Sequence, residues 1–339
     1  MTTALIARHA RITPTDGPHE PPAIVRVAGN NARYAYDEFF AGEENSHTER
    51  AYRHAVHRFL EHCQLLGVSL PQVTPGIVSD YFKRLQAEVK VRRGEPLRYR
   101  PASKPTRKLH IAGIRKFFDK LVERHVIVLN PTLSVRGPRH SVREGKTPAL
   151  TVQQTRAVLA RIDTRTVVGL RDRAIIGIMV YTAVRAGAVA KLRRGDYYCD
   201  ERQSMFRFDE KGGRVRDIPA RHDLDGFVRD YLSAAGGGRD KDAPLFRTAI
   251  GRTGALSEAA MSENDVLRMV KRRFADASLP ADRLTCHSFR ATTITDLLDQ
   301  GVPLEDVQYL AGHADPRTTQ LYDRRKKQVT RNIVERISI

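Results

Sequence analysis

His287-Ser288-Phe289-Arg290, then Gly312-His313, then Thr318-Thr319-Gln320-Leu321-Tyr322-Asp323-Arg324-Arg325 occupy the last quarter of the chain. His287 and Arg290 are three apart, so on a helix they share a face and reach one target. The punctuation predicts a helix from His287 to Gln300 closed by Gly301, a second over Pro303–Ala311, and a third from Pro316 to about Lys327 that carries Tyr322, nine residues after His313. A tyrosine hydroxyl, with an ordinary pKa near ~10, is a poor nucleophile unless its neighbours take up charge. A pentacoordinate phosphate needs cations and hydrogen-bond donors on its non-bridging oxygens, and arginine and histidine supply them. Two histidines, an arginine and a tyrosine at these intervals suit phosphodiester exchange through a phosphotyrosine.

Upstream, Tyr181-Thr182-Ala183-Val184-Arg185 and Glu210-Lys211-Gly212-Gly213-Arg214-Val215-Arg216 extend the pattern. Over roughly residues 148–327 these motifs, in this order, resemble the tyrosine recombinase (phage integrase) family, in particular the simple two-domain integrases and recombinases of mobile elements. The resemblance implies a mainly α fold with a small antiparallel β-sheet: an N-terminal helical core-binding (SAM-like) domain followed by an α+β catalytic domain. It implies a site-specific DNA recombinase (integrase) that cuts and rejoins DNA through a 3′-phosphotyrosine, without ATP, metal or other cofactor. Tyr322 is then the nucleophile, and Arg185 and Arg290 clamp the phosphate as planar, bidentate, permanently charged groups. His287 bonds the phosphate or takes the tyrosine proton, His313 binds phosphate, and Lys211, at a hairpin turn, protonates the 5′-hydroxyl leaving group. The sequence departs from the family at Ala188, where an acidic residue is usual, at Ala183-Val184, where Gly-Leu is usual, and at Ala291, often histidine. The loss at Ala188 leaves open what orients Arg185, with Asp172 and Glu210 as candidates. Two alternatives stand beside this: a type IB topoisomerase-like strand-passage enzyme, and a non-catalytic DNA-binding remnant of a recombinase. The motif spacing and the linked helical domain favour recombinase, and the intact six-residue set argues against a remnant.

The chain has 339 residues, 41% of them hydrophobic, enough for two domains with a sizeable core. Its 58 Lys and Arg against 39 Asp and Glu give +19, an electrostatic footprint for a polyanion. Cys63, Cys199 and Cys286 show no CxxC spacing, which argues against a disulfide framework and a zinc ribbon and fits a reducing cytoplasm. No apolar run is long enough to span a membrane, and no signal-peptide pattern opens the chain. A cytoplasmic, nucleoid-associated protein is expected. Arg185 sits in the apolar stretch Val180–Val189, which predicts a buried guanidinium in need of an anion.

Residues 1–35 read as a flexible arm with room for one short ordered segment. Residues 36–130 read as the helical DNA-binding domain. Ser46-His47-Thr48 opens its first helix with Tyr52, Val56, Phe59, Leu60 and Cys63 inward; Thr74-Pro75 opens a second; a third spans Pro105 to Arg124 with Leu109, Ile114, Phe117, Phe118 and Leu121 inward. Residues 131–149 are a basic Pro/Gly linker, 150–327 the catalytic domain, and 328–339 a tail that resembles the family's segment docking on a neighbouring protomer. Thr151-Val152-Gln153-Gln154 reads as a capping box, and Ser204–Phe208 with Val215–Pro219 as a hairpin. Arg50, Arg53, Lys90, Arg92, Arg93, Lys104, Arg107, Lys108, Arg139 and Arg143 are candidate phosphate contacts, which set affinity and position. The expected partners are double-stranded DNA with inverted-repeat core sites, three further copies of the chain on that DNA (monomer or dimer when free), and an accessory directionality factor.

Overall fold

The computed structural model describes residues 20–86, 101–139, 147–210, 213–236, 238, 240–251 and 253–323. The chain divides into two compact units, Met1–Ser141 and Val142–Ile339.

The first unit is helical: α1 (Ala23–Val27), α2 (Asn30–Ala41), α3 (Ser46–Leu65), α4 (Pro75–Arg84) and α5 (Lys104–Glu123). Short polar side chains start the long helices. Asn45 accepts from the amides of His47 and Thr48 at 3.1 and 3.2 Å, Thr74 from Ile77, and Ser103 from Thr106. The apolar stripes converge on Tyr36, Phe59, Leu60, Ile114, Phe117, Phe118 and Leu121. Two expectations are corrected here. Ile24, Val25, Ala32 and Ala35 are buried in this core, so folded structure begins inside the stretch read as a flexible arm. Gly29, at φ +92°, separates α1, too short to display a period, from α2, whose buried Ala32, Ala35, Tyr36, Phe39 and Phe40 recur at helical spacing. Leu109 is exposed, because the buried face of α5 runs through His110, Ile111, Ile114, Phe117, Phe118 and Leu121, one residue out of phase with it.

The second unit begins with α6 (Val152–Ala160), α7 (Val167–Thr182) and α8 (Ala186–Lys191). Strands β1 (Tyr197–Asp200), β2 (Gln203–Glu210) and β3 (Arg214–Pro219) form an antiparallel sheet in that order, with Phe206 opposite both Tyr197 and Ile218. Helix α9 (His222–Ala234) leads to a second hairpin, β4 (Arg247–Ala249) with β5 (Leu256–Ala260). Four helices close the unit: α10 (Glu263–Asp276), α11 (Cys286–Asp299), α12 (Leu304–Ala311) and α13 (Pro316–Gln320). The capping box at Thr151 is formed in both directions, with Gln154. Helix α7 is apolar nearly all round and therefore central: Ile175, Ile176, Ile178 and Met179 pack with Phe206, Phe208, Leu224, Val228, Phe274 and Phe289. The architecture is mainly α with small antiparallel sheets; β1, α9 and the β4–β5 hairpin were not legible in the sequence. Among the described residues no helix is long and apolar enough to cross a membrane.

A buried ion network ties this unit together. Asp172, fully buried, accepts from Arg171 at 2.7 and 3.0 Å and from Arg273 at 2.6 and 3.0 Å, joining α7 to α10. Arg171 also donates to the Arg247 carbonyl at 2.8 Å, reaching β4. Asp172 is thus committed to Arg171 and Arg273, and its candidacy as a partner of Arg185 is withdrawn.

Candidate active site

A smaller apolar cluster builds the floor of the site: Ala183, Ala291, Ile294, Leu298, Val307, Ala311 and the ring of Tyr322. Alanine at 291 is fully buried there, a small side chain on the helix that carries His287 and Arg290. Helix α7 stops at Ala183, whose φ of +52° lies in the left-handed region. Glycine adopts that region without a Cβ clash, which is why Gly fits this position and why alanine costs about 1 kcal/mol there. The turn lifts Arg185 to the N-cap of α8, where it is exposed. The expectation of a buried Arg185 is therefore wrong: the apolar stretch is interrupted by the turn, and the guanidinium leaves the core at the break.

Arg290 is the buried arginine, 1% exposed on α11. It donates to the carbonyls of Ala183 and Ala311, the last residues of the two segments that lead to Arg185 and to His313. One side chain thereby fixes three parts of the site. His287, one turn earlier, points the same way, and its Nε2 stands 2.9 Å from the Tyr322 hydroxyl. His313 follows Gly312, which ends α12 at φ +62°. Its ring stacks on Tyr322 at 5.8 Å between centroids and 11° between planes, and its Nδ1 lies 2.8 Å from the buried Thr319 hydroxyl. Tyr322 itself does not lie in a helix running to Lys327. Helix α13 ends at Gln320, and Tyr322 sits in the following turn, its amide donating to Thr319 at 3.0 Å. Burial in the cluster holds the ring there, with only 7% of the residue exposed.

The electrostatics follow from burial next to two arginines. His287 and His313 are both pushed below the usual histidine range, by desolvation first and then by the charges of Arg290 and Arg185, His313 to about 3. Both imidazoles are neutral at pH 7 and can accept a proton or a hydrogen bond. Burial raises Tyr322, and Arg290 and Arg185 oppose that rise. Arg185, though exposed, adds positive potential at all three groups. Cys286, beside His287, is buried and pushed up to about 12, an unreactive thiol.

Lys211 lies outside the described residues. Strands β2 and β3 flanking it are in register from Met205 opposite Pro219 to Glu210 opposite Arg214. Arg216 on β3 was quoted within the hairpin motif but given no role; it is 9% exposed and turned toward α12. Thr319 was likewise missed, since nothing in Thr-Thr-x-x-Tyr says which threonine meets a histidine. Near α8, the carboxylate that approaches is Glu263: its Oε2 is 3.1 Å from where a Cβ on Gly187 would stand.

Of the candidate phosphate contacts, Arg50, Lys104, Lys108 and Arg139 are exposed and Arg107 is half-buried. Lys104, Arg107 and Lys108 lie in the first turns of α5. Arg53 is held within the bundle: it pairs with Glu49 at 2.6 Å, reaches the Tyr36 hydroxyl at 3.4 Å and lies 3.9 Å over the Phe40 ring. Lys90, Arg92, Arg93 and Arg143 lie outside the described residues.

Comparison with known proteins identifies the family and the fold. The family described as "Phage integrase family" matches residues 148–329. Tyrosine recombinase XerD of Ralstonia nicotianae is 28% identical over 277 residues, 80% of this chain and 82% of its own. Tyrosine recombinase XerC of Xylella fastidiosa is 27% identical over 291 residues, 84% of this chain and 90% of its own. Among solved structures, the XerH site-specific recombinase bound to a palindromic difH substrate superposes with a TM-score of 0.63 at 17% identity, over 81% of this chain and 75% of that one. Lambda integrase residues 75–356 bound to DNA superpose with a TM-score of 0.62 at 16% identity, over 90% and 97%. These likenesses speak for the fold, and the family match spans more than half of the sequence: the chain belongs to the phage integrase family, the tyrosine recombinases.

Proposed function

We propose that this site-specific DNA recombinase cuts and rejoins DNA with Tyr322 as nucleophile. The Tyr322 oxygen attacks the scissile phosphorus, and the bond to the 5′ oxygen breaks, leaving a 3′-phosphotyrosine. His287, neutral at rest, accepts the hydroxyl proton. Arg185 and Arg290 meet the two non-bridging oxygens, His313 adds a hydrogen bond, and Lys211 gives the departing 5′ oxygen its proton. A 5′-hydroxyl from a partner duplex reverses the steps, so the phosphodiester energy is kept in the adduct and no ATP is consumed. The observation that carries this proposal is the 2.9 Å contact between His287 Nε2 and the Tyr322 hydroxyl, with both arginine charges acting on the pair.

Double-stranded DNA with inverted-repeat sites is the substrate, and four copies of the chain assemble on it, as chains of related fold are bound to DNA as dimers and tetramers. Arg50, Lys104, Arg107, Lys108 and Arg139 contact backbone phosphates, together with Lys90, Arg92, Arg93 and Arg143. The tail, residues 328–339, docks on a neighbouring copy, and an accessory factor sets direction. The test is covalent trapping. DNA carrying candidate inverted repeats, nicked near the cut, is incubated with wild type and with Tyr322→Phe in chelator and run on a denaturing gel. A shifted band from the wild type alone supports the proposal. No band on DNA that the protein binds, or a band lost to chelator, overturns it.

A further inference from the structure

Arg216 sits on β3, outside the six residues of the reaction, and is buried. Its Nη1 donates to the carbonyls of Tyr309 and Leu310 at 2.7 and 2.6 Å. The next carbonyl, Ala311, accepts from Arg290. Three consecutive carbonyls at the end of α12 are thus gripped by two arginines arriving from different elements, a strand and a helix. A helix end leaves carbonyls short of intrahelical partners, Tyr309 accepting the Gly312 amide at 3.0 Å, and gathers negative potential, so both cations are well placed. Gly312 then turns the chain at φ +62°, and His313 is held by its amide on Gln308 and by Gln308 Nε2 on its carbonyl.

We propose that Arg216 is a positioning residue for this reaction: it locks the last turn of α12, so that the Ala311 carbonyl orients the Arg290 guanidinium and His313 meets the scissile phosphate. The inference rests on the recombinase chemistry proposed above. It assigns Arg216 no contact with DNA. A lysine at 216 keeps the charge, but its side chain is about one bond shorter than arginine's and does not bring its nitrogen to the place from which Nη1 meets both carbonyls, so Arg216→Lys separates geometry from charge.

The experiment measures single-turnover adduct formation on two DNAs: one with an ordinary scissile phosphate, one with a methylphosphonate there, which is neutral and has little need of an oriented Arg290. Misplacing a catalytic group by about 1 Å costs up to ~10²-fold. The expected result is that Arg216→Lys slows the phosphate DNA by between about 10-fold and 10²-fold relative to wild type, yet comes within about threefold of wild type on the methylphosphonate. Affinity for DNA stays as in the wild type. Equal slowing on both DNAs, or no slowing on either, overturns the inference while leaving the reaction intact. No adduct from the wild type on either DNA overturns the reaction itself. Arg216→Gln, a shorter and neutral side chain, repeats the comparison of the two DNAs if Arg216→Lys does not fold.

Discussion

His287→Gln separates proton acceptance from hydrogen bonding at the centre of the site. A glutamine carbonyl can take the place of Nε2, 2.9 Å from the Tyr322 hydroxyl, and accept its hydrogen bond, but it cannot hold the proton. The folded state loses little, on the order of 1 kcal/mol for an imperfect hydrogen bond. The reaction loses its general base, worth about 10² to 10⁴ in rate, or roughly 3 to 5.5 kcal/mol of barrier. The pH dependence sharpens the test. Burial and the two arginine charges hold His287 below the usual 6.5, so its basic form persists at and below neutral pH. The wild-type rate should be flat from about pH 9 down through the ordinary histidine range and fall only in acid. The variant depends instead on the small tyrosinate fraction, and burial raises Tyr322 above 10. Its rate should climb about tenfold per pH unit over the same interval. The assay is single-turnover adduct formation on a nicked duplex from pH 6 to 9, with thermal melting as the control for folding. A variant within about threefold of wild type, or with the wild-type pH profile, would show that the proton goes elsewhere and would refute the assignment.

Asp172→Asn leaves the buried Arg171 without its carboxylate, leaves Arg273 only Asp276, and should destabilise the second unit by about 3–5 kcal/mol, read from urea midpoints; a change under about 1 kcal/mol would contradict the network. His110 and His313, pushed down to about 4 and about 3 mainly by burial, stay neutral when folded but take a proton near 6.5 when unfolded. The unfolded chain then binds more protons, so stability is held above pH 6.5 and falls toward pH 4, by up to about 1.4 kcal/mol per pH unit for each histidine. His110→Gln should flatten part of that slope, and a wild-type midpoint equal at pH 7 and pH 5 would count against both shifts. In the first unit, Arg50→Gln should lower the salt dependence of DNA affinity by about one ion, whereas Arg53→Gln should leave it unchanged and cost on the order of 1 kcal/mol of stability through the lost Glu49 and Phe40 contacts; the reverse pattern would overturn the assignment of Arg53 to the bundle.

Caps, glycines, prolines and the 3.6-residue repeat in the sequence were enough to place α11, α12 and the β2–β3 hairpin, whereas Arg185, His287, Arg290, His313 and Tyr322 stood out as candidates through the resemblance to the tyrosine recombinases. Such local signals carry no information about what packs opposite them. The phase of α5 was set by its partners and not by the presence of Leu109, and the five-residue α1 drew its stability from a core that its own short pattern does not announce. Burial of Arg185 was misjudged because apolar neighbours in sequence say nothing of the left-handed turn at Ala183 that carries the side chain out. Tyr322 was expected on a helix, and only the packing of its ring against His313 and the floor of the site shows that it lies in the turn beyond. Arg216 is the plainest case: its partners are main-chain carbonyls 93 and 94 residues away, and no local pattern can encode a bond to so distant a backbone. Residue chemistry and spacing are local properties of the chain, whereas burial, orientation and the pairing of charges with distant carbonyls arise only when the elements meet.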